Sequence, residues 1–241
     1  LLRLQALLNS TVISPVASIL SPTLDFEAGQ VAEYPVFHTV IGNASIPMTV
    51  ECCIDSSKLD WDSFETSWDF RRHPLLNGHT SLSEAAATIE AEWQKRFDSL
   101  KSNEEELNRI FAKIYDLEGE VPIEVPDDKV SVRRFDLGRE VRSLVSYGVG
   151  CMFGRYSIDR DGLVLADQGS TLADFREKVP DATFVPDPDD VLPILDGEWF
   201  EDDIVTGFRR WLAAAFGDAT LDENVRFIED ALGKDLRTYF I

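Results

Sequence analysis

Residues 83–117 have the sequence SEAAATIEAEWQKRFDSLKSNEEELNRIFAKIYDL, and this stretch decides the fold. Its apolar residues recur at steps of three and four, with one turn skipped near Glu104, which is the spacing of one helix face. That face comprises Ala86, Ile89, Trp93, Phe97, Leu100, Leu107, Ile110, Phe111 and Ile114. Ser81 or Ser83 can cap its start. The pattern predicts a single long amphipathic helix, roughly 50 Å long at about 1.5 Å per residue.

On the amino-terminal side of this helix the predicted elements are short. Residues 1–20 are predicted to be helical with a break near Asn9-Ser10, and residues 24–37, which contain Gly29 and Pro35, to form a small β element. A short helix followed by an aromatic-rich irregular segment is expected over residues 46–70.

On the carboxyl-terminal side, helical periodicity returns. Helices are predicted over residues 136–153, 201–216, 220–232 and 234–241, with Gly217 and Gly233 at positions that end a helix. Residues 155–166 are predicted to form a β-hairpin around the turn Asp159-Arg160-Asp161-Gly162, and residues 167–199 a loop rich in Pro and Asp. The fold class is therefore mainly α with minor β, a helical bundle or spacer.

Charge restricts the function more than any other bulk property. The chain has 241 residues and a formal net charge of −21, and a strongly acidic protein repels nucleic-acid phosphate. Between Lys129 and Arg155, however, six basic residues stand against two acidic ones. We expect any contact with the DNA backbone to come from this stretch, through Arg133, Arg134, Arg139 and Arg142, of which Arg139 and Arg142 share one helix face. The alternative is that these arginines form salt bridges with the acidic remainder of the chain.

Between Asp187 and Asp203 the sequence has eight acidic residues and no basic one. This run could mimic DNA or bind cations, but a solvated loop followed by helix N-terminal charges explains it better. The sequence has an odd number of cysteines, three, and they lack metal-ligand spacing. They indicate a reducing, cytoplasmic setting with free thiols. No metal site is predicted, because His38, His73 and His79 have no partners at ligand spacing. No apolar run is long enough for a membrane span.

The glycines of Gly148-Val149-Gly150-Cys151-Met152-Phe153-Gly154 do not fit a dinucleotide fingerprint, since the third glycine falls one residue late. They lie inside a helical pattern. We therefore predict that they allow another helix to approach closely.

Several segments closely resemble the adenine-specific DNA methyltransferases of BREX (phage growth limitation) defence systems. They are LSPTLDFEAGQV at 20–31, DWDSFETSWDF at 60–70, SNEEELNRIF at 102–111, VRRFDLGREVRSLVSY at 132–147, CMFGRY at 151–156 and EDDIV at 201–205. Together they extend over nearly the whole chain. The first segment resembles the link that leaves the target-recognition region in such enzymes.

This resemblance implies a parent enzyme that uses S-adenosylmethionine to methylate the N6 atom of adenine in double-stranded DNA. The family's catalytic motif, Asn/Asp-Pro-Pro-Tyr/Phe, holds the flipped adenine, and this sequence contains no Pro-Pro pair. No residue here inherits a catalytic, cofactor-binding or metal-binding role, and the isolated chain is expected to be inactive. It begins with Leu1 rather than Met, as expected for a piece of a longer protein.

The resemblance also implies a division of the chain. Residues 1–45 would end the target-recognition region, residues 46–132 would form a helical spacer with the long helix, and residues 133–241 a mostly helical C-terminal domain. Such a fragment would position DNA recognition and dock other BREX proteins. Two alternatives remain open, a stand-alone acidic helical adaptor for protein interactions and a DNA-mimic protein.

Overall fold

The computed structural model describes residues 1–20 and 28–241, and within them the chain is mainly α-helical, as predicted. The helices are α1 (Leu2–Leu8), α2 (Ile13–Leu20), α3 (Ala28–Ala32), α4 (His38–Gly42), α5 (Ser45–Trp61), α6 (Leu82–Ile114), α7 (Leu137–Met152), α8 (Leu172–Lys178), α9 (Ile204–Phe216), α10 (Leu221–Leu232) and α11 (Leu236–Phe240). Single 3₁₀ turns lie at Pro74–Leu76, Asp127–Lys129 and Asp218–Thr220. No helix in these residues is both long and apolar enough to cross a membrane.

The chain forms two compact units. Unit 1 comprises Leu1–Asp60 and Gln94–Arg133, and unit 2 comprises Trp61–Trp93 and Arg134–Ile241. The long helix α6 contributes to both, since its first part belongs to unit 2 and its second part to unit 1.

The prediction of one continuous helix over the 83–117 stretch is confirmed, with an end three residues earlier than expected. Asp116 adopts a left-handed conformation with φ 56°. The amide of Leu117 then donates to the Ala112 carbonyl at 2.8 Å, and that of Asp116 to Lys113 at 3.4 Å. This pattern is a Schellman motif, which satisfies the last carbonyls and reverses the chain.

In unit 1 the second part of α6 packs into two apolar clusters. Leu107, Phe111 and Ala112 lie buried with residues of α1, α2, α4 and α5. Phe97 and Leu100 lie buried with three valines of the segment after α6, which are Val125, Val130 and Val132. The apolar face of the helix is thus completed by its neighbours along the chain.

In unit 2 the first part of α6 packs with α7, α9 and α10. Trp93 is only 1% exposed and meets the rings of Phe64 and Phe135 edge-on at centroid distances of 5.8 and 5.9 Å. The prediction for the glycines is confirmed at Gly148, where an added Cβ would lie 2.8 Å from Phe208 and from Trp211 of α9. The absence of a side chain there allows α7 and α9 to approach closely.

Three local predictions need correction. The β-hairpin at 155–166 is not formed as strands, and residues 1–20 and 28–241 contain no strand at all. Two backbone bonds do join its arms, Val164 to Arg155 at 2.9 Å and Leu165 to Gly154 at 3.1 Å. The turn itself bonds elsewhere, because Gly162 donates to the Arg71 carbonyl and Asp159 accepts from Thr183.

The predicted β element at 24–37 lies partly outside the described residues, and its described part contains the short helix α3 instead. The 167–199 loop contains a helix, α8, that was not predicted. It begins with a capping box between Thr171 and Asp174, whose side chains and backbone amides bond reciprocally.

We predict that Trp93→Ala destabilises the protein by about 3–5 kcal/mol, because it removes the largest fully buried side chain of α6 and leaves a cavity. Trp68→Ala is the matched control, since Trp68 is 101% exposed, and should change stability by no more than about 0.5 kcal/mol. Denaturant-induced unfolding of the two variants measures both values. A change below about 1 kcal/mol for Trp93→Ala would contradict the packing described above.

Candidate functional site

The four arginines expected to contact DNA lie just before α7 and on its first turns. Arg133 ends unit 1, whereas Arg134, Arg139 and Arg142 belong to unit 2. Arg133, Arg134 and Arg142 are exposed and Arg139 is half-buried. Asp136 caps α7 by accepting a hydrogen bond from the Arg139 amide at 2.7 Å, which fixes where the helix and its arginines begin.

The side chain of Arg139 is part of the fold of unit 2. Its Nε donates to Glu140 at 2.6 Å, and its Nη2 donates to the Arg134 carbonyl at 2.8 Å. The guanidinium also lies over the ring of Phe64 at 5.8 Å. Because Glu140 is buried, this ion pair lies where an unpaired carboxylate would be costly. The salt-bridge alternative therefore describes Arg139.

Arg133 is held through its backbone. Its amide donates to the carboxylate of Asp60 at 3.1 Å, and Asp60 is 5% exposed and lies 3.9 Å from Arg96. The side chain of Arg133 remains exposed while the chain at this point is fixed.

A second polar cluster, which the sequence did not predict, lies in unit 2 around Glu65. Burial raises the pKa of Glu65, and the nearby Arg155 together with hydrogen bonds from Ser146 and Tyr156 opposes that shift. The Arg155 guanidinium lies over the Tyr156 ring at 5.4 Å. Arg155, the last basic residue of the positive stretch, is thus tied to a partly buried carboxylate. No motif marked this cluster, because its members come from distant segments.

Unit 1 contains a cavity of about 690 Å³. It is lined by α1, α5, α6 and the segment 124–131, and its lining includes Thr11, Cys53, Glu104, Asn108 and Lys129. The Asn108 side chain accepts a hydrogen bond from the Thr11 amide at 3.0 Å and donates one to the Ile123 carbonyl at 3.1 Å. It thus links α6 to the segments that contain Thr11 and Ile123.

Two side chains that line the cavity, Glu104 and Cys53, have pKa values shifted toward their neutral forms. Burial raises the pKa of Glu104, and burial followed by the charge of Glu104 raises the pKa of the Cys53 thiol to about 11. A thiol with that pKa is protonated at neutral pH and is a poor nucleophile. Among the described residues, no group of three or more His, Cys, Asp or Glu side chains is arranged to hold a metal ion.

Comparison with known proteins gives two clear similarities, and no protein-family model matches the chain. The chain is 42% identical over 240 residues to the adenine-specific methyltransferase PglX of Lacticaseibacillus casei (strain Zhang), covering 95% of the chain and 19% of that protein. It is 32% identical over 246 residues to the adenine-specific methyltransferase BrxX of Escherichia coli O9:H4 (strain HS), covering 94% of the chain and 20% of that protein. The chain therefore spans about a fifth of the length of these relatives.

We predict that Arg139→Ala and Arg142→Ala affect stability differently, although the two residues lie three apart on α7. Loss of Arg139 removes the 2.6 Å ion pair to the buried Glu140 and should cost about 1–3 kcal/mol. Loss of the exposed Arg142 should cost no more than about 0.5 kcal/mol. Equal effects in denaturant unfolding would show that the Arg139–Glu140 pair does not stabilise unit 2.

Proposed function

This chain is homologous over nearly its whole length to one segment of the BREX adenine-specific methyltransferase family, and we propose that it is a non-catalytic spacer and C-terminal segment of such an enzyme. In this proposal it positions DNA recognition and docks partner proteins in the cytoplasm. The parent enzyme would use S-adenosylmethionine to methylate the N6 atom of adenine in double-stranded DNA, while this segment holds neither cofactor nor catalytic residue.

The observation that carries the proposal is that each alignment takes in nearly all of this chain but only a small part of the relative. The similarity confirms the family expected from the sequence motifs, since it takes in 95% and 94% of the chain. The same alignments take in only 19% and 20% of the relatives. Four fifths of each methyltransferase therefore lie outside the region that matches, and the chain has no Pro-Pro pair with which to build the family's adenine-binding motif.

The charge distribution supports a positioning role rather than independent DNA binding. A net charge of −21 opposes association with a duplex at physiological salt. In the context of a larger enzyme, the exposed side chains of Arg133, Arg134 and Arg142 would meet backbone phosphate. Such contacts would fix the register of the duplex without reading its sequence. The division of the chain at residues 45 and 132 is part of this proposal.

We predict that the isolated chain does not bind S-adenosylmethionine. Isothermal titration calorimetry with the cofactor should give only the heat of dilution, because the cofactor site would lie in the four fifths of the enzyme outside this region. Heat that saturates at one site with micromolar affinity would overturn the non-catalytic assignment.

We also predict that replacing Arg133, Arg134 and Arg142 with Ala in a full-length methyltransferase weakens DNA binding about equally on specific and random duplexes. The slope of log affinity against log salt concentration should fall by about 0.9 for each phosphate contact that is lost. Arg139 stays unchanged in this variant because its loss would destabilise unit 2.

A matched control removes the same amount of positive charge from other exposed positions, all of them in unit 2. Arg176, Arg210 and Arg226 are also exposed, and their replacement by Ala should leave the salt slope unchanged. If both triple variants lower affinity by the same factor, the effect reflects net charge alone and the proposed contact surface is wrong.

A further inference from the structure

Residues 187–203, here called the acidic loop, combine charge with exposed apolar side chains. The loop has eight acidic residues and no basic one. Trp199 and Phe200 are 73% and 58% exposed, and Val191 and Ile194 are also exposed. Trp199 and Phe200 are adjacent in the chain, and exposed apolar side chains bordered by polar residues are typical of interaction surfaces.

Arg237 of α11 contacts the acidic loop on both sides of Trp199 and Phe200. The Arg237 guanidinium donates to the carbonyls of Leu195 at 2.8 Å and Gly197 at 3.2 Å, which precede the aromatic pair. It also makes two hydrogen bonds, of 2.9 and 2.8 Å, to the carboxylate of Asp203, which follows the pair and caps α9. Arg237 therefore holds both arms of the loop around Trp199 and Phe200.

Trp199 itself is also fixed. Its backbone amide donates to the Gly197 carbonyl at 3.1 Å, and its indole Nε1 donates to the Asp196 carboxylate at 3.3 Å. The ring is thus exposed and yet restrained on two sides. A side chain that is already ordered loses less conformational entropy when a partner covers it, so this arrangement favours binding.

From this geometry we propose that the acidic loop is a docking surface for a basic polypeptide segment of a partner protein, one that carries apolar side chains between its Lys or Arg residues. The apolar side chains would pack on Trp199 and Phe200, and the basic ones would meet the surrounding carboxylates. Charge complementarity selects this occupant. A nucleic acid or an anionic lipid surface would be repelled, and a second copy of the chain would bring eight further acidic residues to the same place.

This inference deepens the proposed function, because it rests on the docking role and assigns that role a surface and a partner chemistry. Its test uses neither DNA nor cofactor. The loop can therefore fail as a docking surface while the methyltransferase assignment stands, and the reverse holds too.

The test measures binding of a fluorescently labelled synthetic peptide of alternating Lys and Leu to the 241-residue chain by fluorescence anisotropy. In the test variant, Trp199→Ala and Phe200→Ala are combined, which keeps every charge. The control variant combines Trp61→Ala and Trp68→Ala, because these rings are also exposed and also lie among acidic residues. All four substitutions are at exposed positions, and thermal unfolding checks that both variants keep the fold.

We expect the test variant to bind the peptide about tenfold more weakly, or worse, and the control variant to bind like the parent chain. A second peptide, in which Ser replaces every Leu, should also bind more weakly than the first. Equal affinities for the parent chain and the test variant, or equal losses in both variants, would overturn the proposal, since binding would then depend on the general acidic surface. Light scattering that finds a dimer in the parent chain and a monomer in the test variant would assign the loop to self-association and also overturn it.

Discussion

The apolar face of α6 is the constraint on which the rest of the structure depends. Most of the stability of a helix in a protein comes from the packing of its apolar face rather than from propensity, so this 33-residue helix depends on neighbours that bury its apolar stripe. Those neighbours differ along its length. Leu82, Ile89 and Trp93 complete the core of unit 2, whereas Phe97 and Phe111 enter the clusters of unit 1. One continuous helical pattern thus supplies core residues to two separately packed groups of helices.

Buried polar side chains fix the register of this helix within each unit. In unit 2, Asn224 of α10 accepts the Leu82 amide at 2.8 Å, which satisfies one of the free donors at the start of α6. In unit 1, Asn108 uses both ends of its amide to hold Thr11 and Ile123. Both asparagines are nearly inaccessible to water, at 0% and 4% exposure. Apolar contacts alone tolerate small shifts along a helix, but these bonds do not, because a shift would leave a buried amide unpaired.

Periodicity was sufficient to predict the long helices, and long-range contacts explain what it did not predict. The apolar spacing of α6 and α7 and the caps at Gly217 and Gly233 are local signals, which the sequence displays directly. The sequence of the turn at 159–162 is typical of a hairpin. Its hydrogen bonds are made to residues distant in sequence, because Gly162 donates to the Arg71 carbonyl and Asp159 accepts from Thr183. The same reason applies to the site. Spacing correctly placed Arg139 and Arg142 on one helix, but only the packing reveals that Glu140 is buried and holds Arg139.

Burial keeps three titratable side chains in their neutral forms. Burial lowers the pKa of His73 to about 3 and raises those of Cys53 and Cys151 to about 11 and 12, so all three stay neutral at pH 7. The surface carries positive and negative side chains in different places. Exposed arginines precede and begin α7, and the acidic loop stands before α9, fixed by Arg237. In the functions proposed above, Coulomb attraction would select opposite partners for the two surfaces, so the same acidic chain would face phosphate at one and a basic polypeptide at the other.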